Sequence, residues 1–336
     1  MSITSNNVNN SFDIVIPTYN RAAFVEKAIN SVKKQLYTEW NLYILDNAST
    51  DNTKEFVREF LCRNIHYVSN NSNIGMVRNW MKGILETGNA AYVVLLSDDD
   101  ELEENFLLKA NEGINRYPGV GLYSSAVNVK NNITTTVWMS EYVNHGNKEY
   151  DISLPAHNLH YFLGGNPVSP AAMVIRRESF RLIRDYNLSN SKVWSFDRYW
   201  WAQIALVNTV VFYSLPTAIY HQHQQSESAN ISKNNFDKTT ESFRVTANIL
   251  NMALNLELIT IESLDPEIKK LWAPAQLDVL CSLVLYGRKD LYDYAIQYFK
   301  SNIDFLFKNY SFLKRNTYSL LGLKLFSYIR MYRSRT

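Results

Sequence analysis

Strand-like and helix-like patterns alternate along the first hundred residues, and that rhythm leaves few folds open to the chain. Residues 12–16, 40–45, 65–69 and 91–96 are short runs rich in β-branched and aromatic side chains, as strands are. Between the first two, Ala23, Ala28, Ile29 and Val32 make an apolar stripe at helical spacing. Ser49, Thr50 and Asp51 then offer caps ahead of a helix around 53–61. Strand, helix and strand in this order form βαβ units, whose crossovers leave neighbouring strands parallel. The expectation is an α/β fold built on a mostly parallel, twisted sheet with flanking helices. Ligands of such open sheets bind beyond the carboxyl ends of the strands, so chemistry is sought in the residues that follow each strand.

Further along, 120–129 and 172–175 read as strands and 155–170 as a loop-rich stretch punctuated by Gly164, Gly165, Pro167 and Pro170. A polar segment, 221–235, leads into helical stretches at 236–256, 266–286, 290–307 and 312–333. The longest apolar run, 193–215, contains Asp197, Arg198, Gln203 and Asn208, and so does not read as a membrane span. With 34 Lys+Arg against 32 Asp+Glu, the formal charge of +2 gives no global surplus for neutralising phosphates, and a nucleic-acid partner is not expected. Cys62 and Cys281 are too few for a disulfide framework, and the polar, Asn-rich start lacks the apolar core of a signal peptide. Both features point to a reducing, cytoplasmic setting.

Three polar clusters follow the predicted strands: Pro17-Thr18-Tyr19-Asn20-Arg21, then Asp46-Asn47-Ala48-Ser49-Thr50-Asp51, then Ser97-Asp98-Asp99-Asp100. Each alone reads as a turn or a helix cap. Together they fall on one sheet edge, and the acidic run is hard to explain structurally because adjacent carboxylates repel. A hard divalent cation, Mn²⁺ or Mg²⁺, relieves that repulsion, and such cations are held by one or two carboxylates together with substrate phosphates. The chain has no glycine-rich dinucleotide fingerprint and no Walker sequence, so a metal is left to neutralise a nucleotide diphosphate.

With Asn73-x-Gly75-x-x-Arg78-Asn79 between the second and third clusters, the order of motifs resembles the GT-A glycosyltransferases of family 2. The resemblance covers roughly 12–225 and is most specific in the first hundred residues. It implies a nucleotide site formed by Pro17, Thr18, Tyr19, Asn20, Arg21, Asp46, Asn47, Asn73, Gly75, Arg78, Asp98 and Asp99. Within it, Tyr19 would stack on the base, Asp46 would hydrogen-bond it, Arg78 would lie near base and diphosphate, Asp98 would bind ribose, and Asp100 would bind the metal. On the same basis Asp197 would be the catalytic base. It opens an apolar helix among aromatics that raise its basicity by desolvation, although Phe196 stands where the family carries Glu. His223, preferred to His221, resembles a metal-ligating His near a strand end. Asn166, in the 164–170 loop, and Trp194 resemble the acceptor side.

The resemblance implies inverting, metal-dependent transfer of one sugar to a hydroxyl of a growing bacterial surface glycan such as an O-antigen or capsule unit. The donor would be a UDP-hexose or UDP-N-acetylhexosamine, and the acceptor a glycan or lipid-linked oligosaccharide. A nucleotidyltransferase and a catalytically silent nucleotide- or glycan-binding protein are the alternatives. The expected organisation is a polar, disordered 1–10, a glycosyltransferase domain at 11–232 and a helical region at 233–336. The domain would divide into a nucleotide half, about 11–119, and an acceptor half, about 120–232. Lys314, Arg315, Lys324, Arg330, Arg333 and Arg335, interleaved with apolar residues, make the tail either a peripheral contact with an anionic membrane or a core helix with a solvated face.

Overall fold

A computed structural model describes residues 9–131, 133–138, 149–164, 166–183 and 196–223, together with Val245, Ile249, Met252, Ala253 and Leu256. The expected disordered tail, apart from its last two residues, and nearly all of the 233–336 region lie outside the described residues.

The chain opens with β1 (Phe12–Thr18), α1 (Ala22–Lys33), β2 (Trp40–Asp46), α2 (Thr53–Arg58), β3 (Ile65–Ser69), α3 (Met76–Glu86) and β4 (Tyr92–Leu95). Strands pair in the order β3-β2-β1-β4, all parallel, with Phe12 opposite both Trp40 and Tyr92. The two-residue period of β1 builds both cores. Phe12, Ile14 and Ile16 pack with α1 on one face, and Val15 packs beneath α3 on the other.

The second half adds β5 (Glu101–Leu102), α4 (Phe106–Arg116), β6 (Val120–Lys130), β7 (Thr135–Trp138), β8 (Tyr150–Ser153), α5 (Pro155–Gly164), β9 (Met173–Arg176), α6 (Arg177–Arg181), α7 (Phe196–Ala205) and β10 (Thr209–His221). β9 runs antiparallel between β4 and β6, while β10 lies parallel to β6 and carries β5 and β8 antiparallel. β7 folds back on β6 as an antiparallel hairpin. The apolar run at 193–215 resolves into α7 and the first part of β10, and no helix among the described residues is long and apolar enough to cross a membrane. Val245, Ile249 and Ala253, helical and fully buried at four-residue spacing, pack into the same core as α5 and α7.

One stretch departs from the sequence expectation. The loop-rich 155–170 begins as helix α5, with Pro155 at its first position, where its missing N–H costs nothing. Leu159 and Phe162, one turn apart, are buried against the α7 side, and each such side chain contributes about 1.5–3 kcal/mol by leaving water. That tertiary burial outweighs the Gly and Pro punctuation, and among the described residues the helix gives way to loop only at 166–169.

At the amino-terminal end of the sheet a buried ion pair ties the two halves together. Arg177, at the start of α6, donates through Nη2 to Asp13 Oδ2 on β1 at 2.5 Å, through Nε to the Ala90 carbonyl at 2.9 Å, and through Nη1 to the Ile84 carbonyl in the last turn of α3. Ala90 N–H also donates to Asp13 Oδ2, at 2.7 Å. Gly88 makes room for this: its φ is +64°, and a Cβ there would stand 2.2 Å from Asp13 Oδ2.

Candidate functional site

The carboxyl ends of β1, β2 and β4, residues 166–170, the start of α7 and the end of β10 enclose a cleft of about 760 Å³. Asp98, Asp99 and Asp100 form its acidic corner, in a turn closed by the Asp100 N–H to the Ser97 carbonyl. Thr18 Oγ1 donates to Asp98 Oδ2 at 2.7 Å. Arg21 spans two carboxylates, with Nε 3.2 Å from Asp98 Oδ1 and Nη2 2.6 Å from Asp99 Oδ2. The guanidinium also sits over the Phe24 ring, on which the His223 imidazole stacks while its Nε2 lies 3.1 Å from Asp99 Oδ2.

Burial pushes the Asp98 carboxyl up to about 7, against the pull of Arg21 and Thr18. Asp100, only 1% exposed, is pushed well up by burial and by Asp99, against the His221 N–H that donates to its Oδ1 at 3.0 Å. Among the described residues no cationic side chain forms an ion pair with Asp100. An acidic corner in which one guanidinium pairs with Asp98 and Asp99 and none with the buried Asp100 suits an added hard cation, for which Asp98, Asp100 and the neighbouring His223 carry donor atoms. No three metal-ligating side chains converge as a ready-made cage among the described residues. That is the situation expected where phosphate oxygens and water complete the shell.

The β1 and β2 ends meet through short polar contacts. Asn20, in the left-handed region at φ 54°, accepts at Oδ1 from the N–H of Thr50 at 2.7 Å and of Asp51 at 3.3 Å, so its side chain braces the loop. Asp46 is likewise turned inward: Oδ1 accepts from the Ser49 N–H and hydroxyl, and Oδ2 from the Tyr67 hydroxyl. Asn47, Asn73 and Gly75 line the cleft beside Pro17, Thr18 and the 40% exposed Tyr19. Gly75, at φ +83°, opens α3 in a conformation that glycine adopts without strain. Arg78 is exposed on the first turn of α3 and is not part of the cleft lining.

Across the cleft, Asp197 sits in the first turn of α7 and accepts from Asn166 Nδ2 at 3.0 Å. Burial raises its pKa, opposed by the N–H groups of Arg198 and of Asp197 itself, by the Arg198 charge and by Asn166. Phe196, where a Glu was expected, packs edge-on to Trp80 and Trp200 and lines the cleft. Trp194 lies outside the described residues. The sequence reading did not single out Trp138 of β7, Trp80, Tyr220 or Gln222, all of which line the cleft. For Trp138 the available signal was a large aromatic in a short run otherwise carrying Thr and Val, where no core side is marked.

The profile of Glycosyl transferase family 2 matches residues 13–183, half of the chain and every element from β1 to α6. The chain belongs to this family. Among curated relatives of the family, the chain is 30% identical over 103 residues to the putative teichuronic acid biosynthesis glycosyltransferase TuaG of Bacillus subtilis. It is 33% identical over 107 residues to the GalNAc(5)-diNAcBac-PP-undecaprenol beta-1,3-glucosyltransferase of Campylobacter jejuni. Each match covers 30% of this chain, and the matched stretches span 40% and 34% of those relatives. Among solved structures, S. aureus TarS 1-349 in complex with UDP-GlcNAc superposes with a TM-score of 0.53 at 15% identity, covering 90% of this chain and 91% of that one. The Pyrobaculum calidifontis mannosyltransferase PcManGT in complex with GDP-Man and Mn²⁺ gives 0.50 at 13%, covering 93% and 88%. At these identities the likeness establishes the GT-A fold.

Proposed function

We propose that this family 2 protein transfers a single sugar, with inversion, from a UDP-linked donor to a hydroxyl of a growing bacterial surface glycan. The observation that carries the reading is one cleft with a largely buried acidic corner, Asp98 to Asp100, on one wall and the half-buried carboxylate of Asp197 on the other. The first suits a cation and a diphosphate, the second a proton. Tyr19 offers an exposed ring face for the base, Asp98 an oxygen for the ribose, and Arg21 a guanidinium near the diphosphate. Asp100 and His223 would hold Mn²⁺ or Mg²⁺, whose chemistry is to neutralise charge on a departing diphosphate. Asp197, its basicity raised by burial, accepts the proton of the acceptor hydroxyl, and Asn166 holds the carboxylate toward the cleft. Trp138 and Tyr220 give the acceptor sugar apolar faces. The relatives' printed roles in teichuronic acid synthesis and on a diphosphoundecaprenol-linked glycan support such an acceptor, as the UDP-GlcNAc and GDP-Man complexes support a nucleotide-sugar donor.

The test is a panel of nucleotide sugars assayed for UDP release with and without Mn²⁺. Release from one UDP-sugar, dependent on metal, is the expected result. Pyrophosphate release instead would mark a nucleotidyltransferase. Binding without product would favour a silent module, a reading that the apolar Phe196 beside Asp197 keeps in play.

Two further outcomes are expected. Asp100→Asn should weaken UDP binding about tenfold with Mn²⁺ present and leave metal-free binding unchanged. Titration calorimetry under both conditions reads this, and equal loss with and without metal would remove Asp100 from the metal site. For the basic tail, which lies outside the described residues, we propose peripheral contact with an anionic membrane face at the cytoplasmic side. Exchanging Lys324 and Arg330 for Glu should then abolish co-sedimentation with anionic vesicles at low salt, since each cation near such a surface contributes about 1 kcal/mol. Unchanged sedimentation of the Glu variant would refute membrane contact.

A further inference from the structure

The cleft wall at the end of β2 is a relay of amides whose hydrogen bonds all run one way. Lys82 Nζ, on α3, donates to Asn70 Oδ1 at 2.7 Å, and Asn70 Nδ2 donates to Asn47 Oδ1 at 3.0 Å. Asn47 Nδ2 then donates to Asn73 Oδ1 at 2.9 Å. A side branch runs from Asn70 Nδ2 to Asn79 Oδ1, at 2.7 Å.

The orientation of every amide is fixed by a group whose polarity is not in question. The Lys82 ammonium can only donate. The Ile74 N–H donates to Asn47 Oδ1 at 3.0 Å, the Gly75 N–H to Asn73 Oδ1 at 2.9 Å, and Asn79 Nδ2 faces the Leu45 carbonyl at 3.3 Å. Turning any one amide over would set donor against donor or acceptor against acceptor. Asn47 Oδ1 and Asn73 Oδ1 each already accept two hydrogen bonds, so what is left uncommitted on these two cleft-lining side chains is N–H alone. The nearby carboxylate that could have accepted a ring N–H, Asp46, is taken up by Ser49 and Tyr67.

The relay also ends in the right place. Asn47 follows β2 and the acidic corner follows β4, with β1 between them. Two strand spacings, about 10 Å, separate the cation corner from the amides, which suits a diphosphate at one end and a base at the other.

We propose that Asn47 and Asn73 read the donor's nucleobase through its hydrogen-bond acceptors, and that Lys82, which does not line the cleft, is a positioning residue polarising the relay toward it. The inference rests on the nucleotide reading of the cleft. Hydrogen bonds in series strengthen one another, so a cation at the head of the chain makes the terminal N–H groups better donors.

Calorimetry with UDP and Mn²⁺ tests the proposal by sign. Asn47→Asp replaces the amide nitrogen, with its uncommitted N–H and the one bonded to Asn73, by a carboxylate oxygen, and should weaken UDP binding at least tenfold. Asn73→Asp, at an exposed position where folding is not at stake, should act in the same direction. If either variant binds UDP more tightly than wild type, the base is read through its ring N–H and the proposal fails. Lys82→Met should weaken UDP binding threefold or more without changing the affinity for inorganic pyrophosphate with Mn²⁺, and Lys82→Arg should restore it. Equal losses for UDP and pyrophosphate would make Lys82 merely structural and overturn the relay. Failure of the wild type to bind any of UDP, CDP or GDP with metal would instead remove the nucleotide reading itself, and the inference with it.

Discussion

Asp197→Asn is expected to lower kcat by about 10²–10⁴-fold, the usual worth of a positioned general base, while UDP affinity stays within about threefold of wild type. The amide matches the carboxylate in size and keeps one oxygen for the Asn166 N–H, so the first turn of α7 has no reason to move. What it lacks is a basic lone pair for the acceptor proton. The pH profile adds a second, independent reading. Burial raises the Asp197 pKa, so the wild-type rate should rise with pH through a limb above the ordinary carboxylate range, and that limb should vanish in Asp197→Asn. Asn166→Ala should move it further up. The Asn166 N–H favours the charged carboxylate, and without it the proton is held to higher pH. Steady-state rates at saturating donor across pH 5 to 9 test all three statements. A variant that keeps more than a tenth of the wild-type kcat would place the base elsewhere.

The parts of this architecture that can be read along the chain are those whose cause is local. The four parallel strands announce themselves because Phe12, Ile14 and Ile16, and likewise Leu42 and Ile44, recur at the strand period next to turns rich in Asp, Asn and Ser. The acidic run at 98–100 stands out because no local structural need explains it. The rest depends on contacts across the fold. Asp46 and Asn47 are adjacent, so sequence cannot say which faces the ligand. The answer comes from Tyr67 on β3, brought alongside Asp46 by the β2–β3 pairing, which takes the carboxylate and leaves Asn47 on the cleft. Strand alternation alone would send His221 and His223 to the same side. Because β10 ends at His221, the two rings reach different partners, Glu101 and Asp99. Helix α5 was hidden for the same reason: its stability lies in the packing of Leu159 and Phe162, and its composition reads as a loop.

The buried pair Arg177 and Asp13 should carry the largest single stability effect among the described residues. Arg177→Met is expected to cost about 3–5 kcal/mol, because it leaves the Asp13 carboxylate buried without its counter-charge and strips the Ala90 and Ile84 carbonyls of a donor. Burial drives the two groups toward neutrality in opposite directions, raising the pKa of Asp13 and lowering that of Arg177. In the variant nothing but the Ala90 and Asn89 N–H groups holds Asp13 down, so its folded pKa climbs further above the unfolded value. An acid raised on folding contributes stability that is present below its unfolded pKa and lost as pH rises through the folded one. The deficit of Arg177→Met against wild type should therefore be largest at neutral pH and shrink toward pH 4. Adding Asp13→Asn should recover part of the loss at pH 7, since a neutral amide is far cheaper to bury than a lone carboxylate while its oxygen still accepts from Ala90. Urea unfolding of the three proteins at pH 7 and pH 5 gives the numbers. A single variant that loses less than 1 kcal/mol at pH 7, or whose deficit grows on acidification, would mean that Asp13 is not held as a buried anion, and the clamp between β1, α3 and α6 would have to be explained by packing alone.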